Sequence, residues 1–221
     1  MMNSLRMRAG MAFAALAMLT ACGNGPDSNV IAKLPEAIKA ARQQSAAISP
    51  EQLAQALGGT TGPVTMFVIE DRESQVVMVD IESNGPYHTF GASSRQVVVM
   101  RDGMITATRG LGGDLMSSDE GALLSLVRRR SVGTATYVQR YLTPEDVTET
   151  YQFTCKLDTG ATVPVVTGLI NTKGQTVTAK CGNDEGTFTN TYVVSADGYI
   201  LSSRVWLGKT LGYVLSQALR R

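Results

Sequence analysis

Residues 95–109 read RQVVVMRDGMITATR. Two short runs rich in Val, Ile and Thr, Arg95–Met100 and Met104–Arg109, flank Arg101-Asp102-Gly103. Branched side chains suit a pleated strand better than a helix. Asp-Gly supplies the positive-φ backbone that a tight hairpin requires. The stretch therefore predicts an antiparallel hairpin, and the same grammar repeats on both sides of it.

Upstream, Val64–Glu70 and Gln75–Glu82 are separated by Asp71-Arg72-Glu73-Ser74, and Asn84-Gly85-Pro86 is a turn before Tyr87–Gly91. Downstream come Thr134–Leu142, Thr148–Leu157, Thr162–Ile170 and Gln175–Cys181, with Thr172-Lys173-Gly174 read as the turn of the last pair. Phe188–Ser195 and Tyr199–Leu207 flank Ala196-Asp197-Gly198, and a final apolar segment runs from Leu211 to Leu219. About ten strands at roughly 8–12-residue spacing predict a sandwich or barrel.

Helical patterning is confined to three places. Leu34, Ile38 and Ala41 share one face of a segment running to Ala47. Ser49-Pro50-Glu51-Gln52 is a capped helix start, ending near Leu57 before Gly58-Gly59. Within Ser117–Arg130, Ser118 is the expected cap and Leu123, Leu124 and Val127 the inward face. The fold expected is mainly β: an antiparallel meander forming a barrel-like or half-open barrel or sandwich, with one or two N-terminal helices and a short helix in the middle.

The chain opens with two arginines, Arg6 and Arg8, then an uncharged apolar run from Ala9 to Thr20. That is a secretory signal pattern, and the run is short for a membrane span, which takes about 20 residues. Leu19-Thr20-Ala21-Cys22-Gly23 resembles the bacterial lipobox, in which the thiol receives a diacylglycerol and becomes the new amino terminus. Residues 1–21 are thus expected to be signal, 22–33 a lipidated tether, and 34–221 a single β-rich domain. Two or more acyl chains hold a protein firmly to a membrane. Gly23, in place of the aspartate that retains enterobacterial lipoproteins at the inner membrane, points to the outer membrane, facing the periplasm.

Removing residues 1–21 leaves 20 − 2 = 18 basic and 19 acidic residues, so nothing favours nucleic acid as a partner. With Cys22 assigned to lipid, Cys155 and Cys181 remain as an expected disulfide in an oxidising compartment. Closing that loop stabilises a fold by about 3 kcal/mol. No metal site is expected, and no cofactor beyond the lipid on Cys22.

No catalytic residue emerges. His88 is the only histidine and has no Gly-x-Ser-x-Gly nucleophile elbow to serve. Asp119-Glu120, Glu145-Asp146 and Asp184-Glu185 sit at turns or a helix start and read as solvated. Arg128-Arg129-Arg130 could meet acidic glycans or phospholipid headgroups but reads first as a solvated helix end. Gly110-Leu111-Gly112-Gly113-Asp114 lacks the Gly-Lys-Ser/Thr ending of a phosphate loop. Trp206, the sole tryptophan, could stack on a sugar face but reads first as a core anchor.

Two segments carry a family resemblance. Arg101-Asp102-Gly103-Met104-Ile105, followed by Gly110-Leu111-Gly112-Gly113-Asp114-Leu115, is one. The other runs from Asn190 through Tyr192, Asp197-Gly198, Ser202 and Trp206 to Gly208. With the lipobox, they resemble the YjbF/GfcB lipoproteins of exopolysaccharide and group 4 capsule operons; Lys209 stands where that pattern leads one to expect proline.

The resemblance implies a barrel-like fold and a non-enzymatic accessory part in polysaccharide production or export. The implied partners are the membrane, other export proteins or the polysaccharide itself. Arg101, Gly103, Gly110, Asp114, Asp197, Gly198 and Trp206 would mark a shared surface or hold turns and core. Two other readings stand beside it: a carrier of lipid or acyl chains with a LolA-like half-barrel, and a glycan hydrolase.

Overall fold

The structure is a computed structural model that describes residues 48–92, 95–143 and 145–221. The expected signal segment, Cys22, the expected tether and the expected helix over 34–47 lie outside the described residues.

Helix α1 (Pro50–Gly58) begins as its sequence dictates: the Ser49 hydroxyl accepts the Gln52 N–H, and the Gln52 side chain accepts the Ser49 N–H. Strands β1 (Val64–Ile69), β2 (Ser74–Asn84), β3 (Tyr87–Gly91), β4 (Val97–Arg101) and β5 (Met104–Arg109) follow as one meander. After β6 (Leu115–Asp119) comes helix α2 (Gly121–Arg129). A second meander then runs through β7 (Gly133–Leu142), β8 (Thr148–Thr167), β9 (Ile170–Asn183), β10 (Gly186–Val194), β11 (Ile200–Trp206), the single turn α3 (Gly208–Leu211) and β12 (Tyr213–Arg220).

All twelve strands belong to one antiparallel sheet in the order β5-β4-β3-β2-β1-β12-β11-β10-β9-β8-β7-β6. The two meanders are joined by the ladder between β1 and β12, from Val64↔Arg220 to Ile69↔Val214. That joint curls the sheet into a nearly closed barrel, with the outer strands β5 and β6 side by side. Side chains bridge this seam. The Thr108 hydroxyl donates to Asp114 and accepts the Leu115 N–H, Arg109 donates to the carbonyls of Leu115 and Met116, and Ser118 donates to the Thr106 carbonyl.

The interior is filled. One register row runs Val177, Tyr192, Ser203, Ser216, Phe67 and Val76 across β9, β10, β11, β12, β1 and β2. The two serines, buried and bonded to each other at 2.7 Å, leave room for the Tyr192 and Phe67 rings on either side. Cys155 and Cys181 face each other directly across β8 and β9, both buried, and form the expected disulfide.

Helix α2 closes the barrel end at which the turns Asp102-Gly103 and Ala196–Gly198 lie, with Leu123, Leu124 and Val127 buried as expected. The other expectations for this region require correction. Ser118 belongs to strand β6, where its hydroxyl spans the seam, so it does not cap the helix. The run Arg128–Arg130 is a bracket, with each guanidinium engaged. Arg128 meets Asp102 at 2.6 Å, Arg129 bonds Ser125, and Arg130 donates to the Ser195 and Ala196 carbonyls. Glu120 is only 3% exposed, accepting from Ser118 at 3.0 Å and facing Arg101 at 3.4 Å.

A further correction concerns β8. Thr148–Leu157 and the greater part of Thr162–Ile170, as far as Thr167, belong to one 20-residue strand, and the reversal into β9 comes at Gly168-Leu169, with Ile170 already in β9, instead of at Thr172–Gly174. Gly168 (φ +53°) lies so close to β12 that a Cβ would sit 2.5 Å from the Leu219 carbonyl oxygen, and the Leu169 N–H donates to that carbonyl. Tertiary docking, which local turn chemistry does not encode, places the reversal.

Two predictions follow from this packing. The double variant Cys155→Ala/Cys181→Ala loses about 3 kcal/mol of unfolding free energy in denaturant melts. Gly85 (φ +57°) has open space around it, whereas at Gly103 (φ +85°) a Cβ would approach the Ile200 carbonyl oxygen to 2.3 Å. Gly85→Ala therefore costs roughly 1 kcal/mol, and Gly103→Ala on the order of 3 kcal/mol, measured the same way.

Candidate functional site

At the barrel end opposite α2, the connections 110–114, 184–185 and 207–212, with Thr143 and Glu145, surround an open cleft of about 580 Å³. That lies within the range of small-ligand clefts, about 300–1,000 Å³. Period-two alternation in the flanking strands builds its floor. Tyr137, Gln139 and Tyr141 share one face of β7; Tyr151 and Phe153 lie on the same face of β8, in register with Gln139 and Tyr137. On the next strands, Phe188 stands beside Cys181, which is paired with Cys155, so the disulfide lies in the same row as the floor.

The rings form a continuous chain. Tyr141 meets Tyr151 edge-on at 6.0 Å, Phe153 meets Phe188 edge-on at 4.9 Å, and Phe188 stacks on Trp206 at 4.8 Å with 23° between planes. Phe153 is buried, while Tyr141, Tyr151, Phe188 and Trp206 keep part of their surface open. Trp206 is thus a half-buried cleft wall that packs against the core, which revises its reading as a core anchor.

Trp206 stands at the end of β11, past the last Thr191↔Arg204 pair with β10. Two buried side-chain amides take over from the missing ladder. Asn190 Oδ1 accepts the Trp206 N–H at 2.9 Å, and Gln139 Nε2 donates to the Trp206 carbonyl at 3.1 Å. Gln139 also donates to the Tyr137 hydroxyl and accepts from the Tyr141 hydroxyl, while Asn190 donates to the Tyr192 hydroxyl. Burial pushes the Tyr137 phenol up to about 12 and raises Tyr141 and Tyr192 strongly too. These phenols are therefore neutral hydrogen-bonding groups at physiological pH.

The rim is acidic. Glu145, Glu149 and Glu185 are exposed and line the cleft with Asn183 and Lys209. The Tyr151 hydroxyl donates to Glu149 at 2.8 Å, a bond that raises the Tyr151 pKa. Lys209 approaches Glu185 at 3.4 Å. Asp114 serves the wall itself: its carboxylate accepts the Gly110 and Leu111 N–H groups and the Thr108 hydroxyl, locking the glycine-rich connection.

The residues picked out by the family motifs divide between the two ends of the barrel. Asp114 and Trp206 belong to the cleft. Gly110 (φ +75°) sits where a Cβ would come 2.7 Å from the Arg95 carbonyl oxygen. Arg101, Gly103, Asp197 and Gly198 belong to the closed end, where Gly198 lies against Arg128. Asp197 binds Arg221, the Ser195 hydroxyl and the Tyr199 N–H; Arg221, then Ser195, hold its carboxyl well below the usual range. His88 is half-exposed and pairs with Asp80 at 2.7 Å.

Tyr141, Tyr151, Phe153, Phe188 and Gln139 were not singled out by sequence reasoning, and Asn190 entered only as the first residue of the second family segment. The aromatic alternation along β7 and β8 was the available signal, and only the strand register joins it to Phe188 and Trp206. Gln139→Leu and Asn190→Leu should each lose roughly 1–3 kcal/mol of stability, because a buried Trp206 backbone group is left unpaired. Each should also shift the emission of the single tryptophan to longer wavelength.

Comparison with known proteins agrees with this architecture. No curated protein matches the chain. Among solved structures, the crystal structure of the hypothetical lipoprotein YmcC from Escherichia coli (K12) is similar. The TM-score is 0.67 at 12% identity, over 85% of this chain and 96% of that one, a likeness of fold. Residues 29–219 match the family described as "Group 4 capsule polysaccharide lipoprotein gfcB, YjbF". The chain, with twelve strands among its described residues and an aromatic mouth, belongs to the YjbF family.

Proposed function

We propose that the protein is an outer-membrane lipoprotein, anchored through Cys22 and facing the periplasm, that engages polysaccharide as a non-enzymatic accessory factor in its production or export. The observation that carries this reading is the open cleft floored by five aromatic rings at the mouth of an otherwise filled barrel. The C–H faces of a pyranose carry slight positive charge and suit the negative face of a ring. The carboxylates and Asn183 at the rim offer acceptors for its hydroxyls.

The architecture weighs against the two other readings. An acyl carrier needs a hollow apolar interior, whereas Phe67, Met78, Phe90, Leu115, Leu157 and Tyr192 fill this one. A glycan hydrolase needs one carboxyl held protonated in an apolar setting beside a second carboxylate. Glu149 and Glu185 are exposed and engaged by Tyr151 and Lys209.

In cells, wild-type protein should incorporate labelled palmitate and sediment with outer membranes, and Cys22→Ala should abolish both. Trp206→Ala should lower secreted or capsular polymer at least severalfold in a deletion strain while the protein accumulates normally. Unchanged polymer in that strain would refute the assignment of the cleft.

A further inference from the structure

We infer that the cleft selects neutral or amino-bearing sugar segments and turns away polymers of uronic acids. This rests on reading the cleft as a polysaccharide-binding site and adds which polysaccharide chemistry it accepts.

The charge at the mouth is one-sided. Among the described residues, three exposed carboxylates, Glu145, Glu149 and Glu185, line it against a single cation, Lys209, which is itself paired with Glu185. The Asp114 carboxylate adds further negative charge in the wall. Recognition of a sugar carboxylate calls for a guanidinium fork or an ammonium presented to the ligand. No arginine lines the cleft among the described residues.

Two guanidiniums of neighbouring segments are committed elsewhere. Arg72, beside the mouth, donates to the carbonyls of Leu111, Gly112 and Thr210, and so ties the rim connections together. Arg204 forms a two-pronged pair with Glu70 at 2.8 and 2.7 Å and covers the Tyr213 ring at 3.4 Å. A uronate entering the cleft would therefore meet acceptors facing acceptors, with like charges brought together in a partly water-excluded space.

A neutral sugar meets the opposite situation. Its hydroxyls donate to Glu149 Oε1, Glu185 and Asn183, while its C–H face lies on the Trp206–Phe188 stack. An amino sugar adds an ammonium that the same carboxylates attract. The stacked pair supplies affinity for sugars in general, and the rim acids supply the choice among them.

The test uses the full chain in detergent, with Trp206 emission and calorimetry as readouts. The probes are cellohexaose, the hexamer of glucosamine and hexagalacturonate, at low and high salt. The neutral and amino hexamers should bind and shift the emission, and hexagalacturonate should bind at least tenfold more weakly at low salt. That gap should narrow at high salt, as screening requires. It should narrow also in Glu149→Gln/Glu185→Gln, whose unchanged melting temperature would show that the fold persists.

Hexagalacturonate binding as tightly as cellohexaose would overturn the selectivity while leaving the cleft a saccharide site. Failure of all three hexamers to bind at millimolar concentration would overturn the cleft reading itself.

Discussion

A sheet that does not close leaves a row of unpaired backbone groups on each outer strand, and those edges invite other chains. In this protein the outer strands are β5 and β6, neighbours in sequence yet at opposite ends of the strand order. Laying them side by side removes the edges from solvent and dictates much else. The connection between them has to be tight, which accounts for Gly110, Gly112 and Gly113 with positive φ and for Asp114 gathering the local N–H groups. It also requires Thr108, Arg109 and Ser118 to face the seam, since side chains there take the place of a ladder.

Closure in turn makes the two ends of the barrel unlike. One end is sealed by α2 and its arginines, which bind the turns of two hairpins that are distant in sequence. The other is left open because β11 stops pairing with β10 before Trp206. Two amides buried in the wall stabilise that departure, and their conformation is held by tyrosine hydroxyls. The exposed aromatic surface is thus a product of the wall's internal bonding and not an accident of the loops.

The architecture was largely legible in sequence because hairpin turns and β-branched runs are local signals. Met104–Arg109 and Tyr87–Gly91 fall on the expected residues, and the capping box of Ser49 and Gln52 forms as written. The disulfide followed from counting cysteines. What sequence could not show depends on contacts between distant segments. Gly168 turns the chain because Leu219 lies beneath it, while Thr172–Gly174, with better turn chemistry, remains in a strand. Leu115–Asp119 has weak strand propensity and is a strand through pairing with β7 and the seam bonds. The cleft was least legible: its rings come from β7, β8, β10 and β11, and only their mutual register makes them one surface.

The joint between β1 and β12 has a consequence for how the chain reaches its native state. A polypeptide synthesised or threaded amino terminus first presents Val64–Ile69 long before Tyr213–Arg220, yet the two must lie in one ladder. Non-local pairing of this kind pays its loop-closure entropy early and folds slowly. The first meander therefore waits with one side of β1 unsatisfied until almost the entire chain has emerged. Closure of the sheet is therefore among the last steps of assembly, and until then the open edge of β1 is the part of the fold most available to other chains.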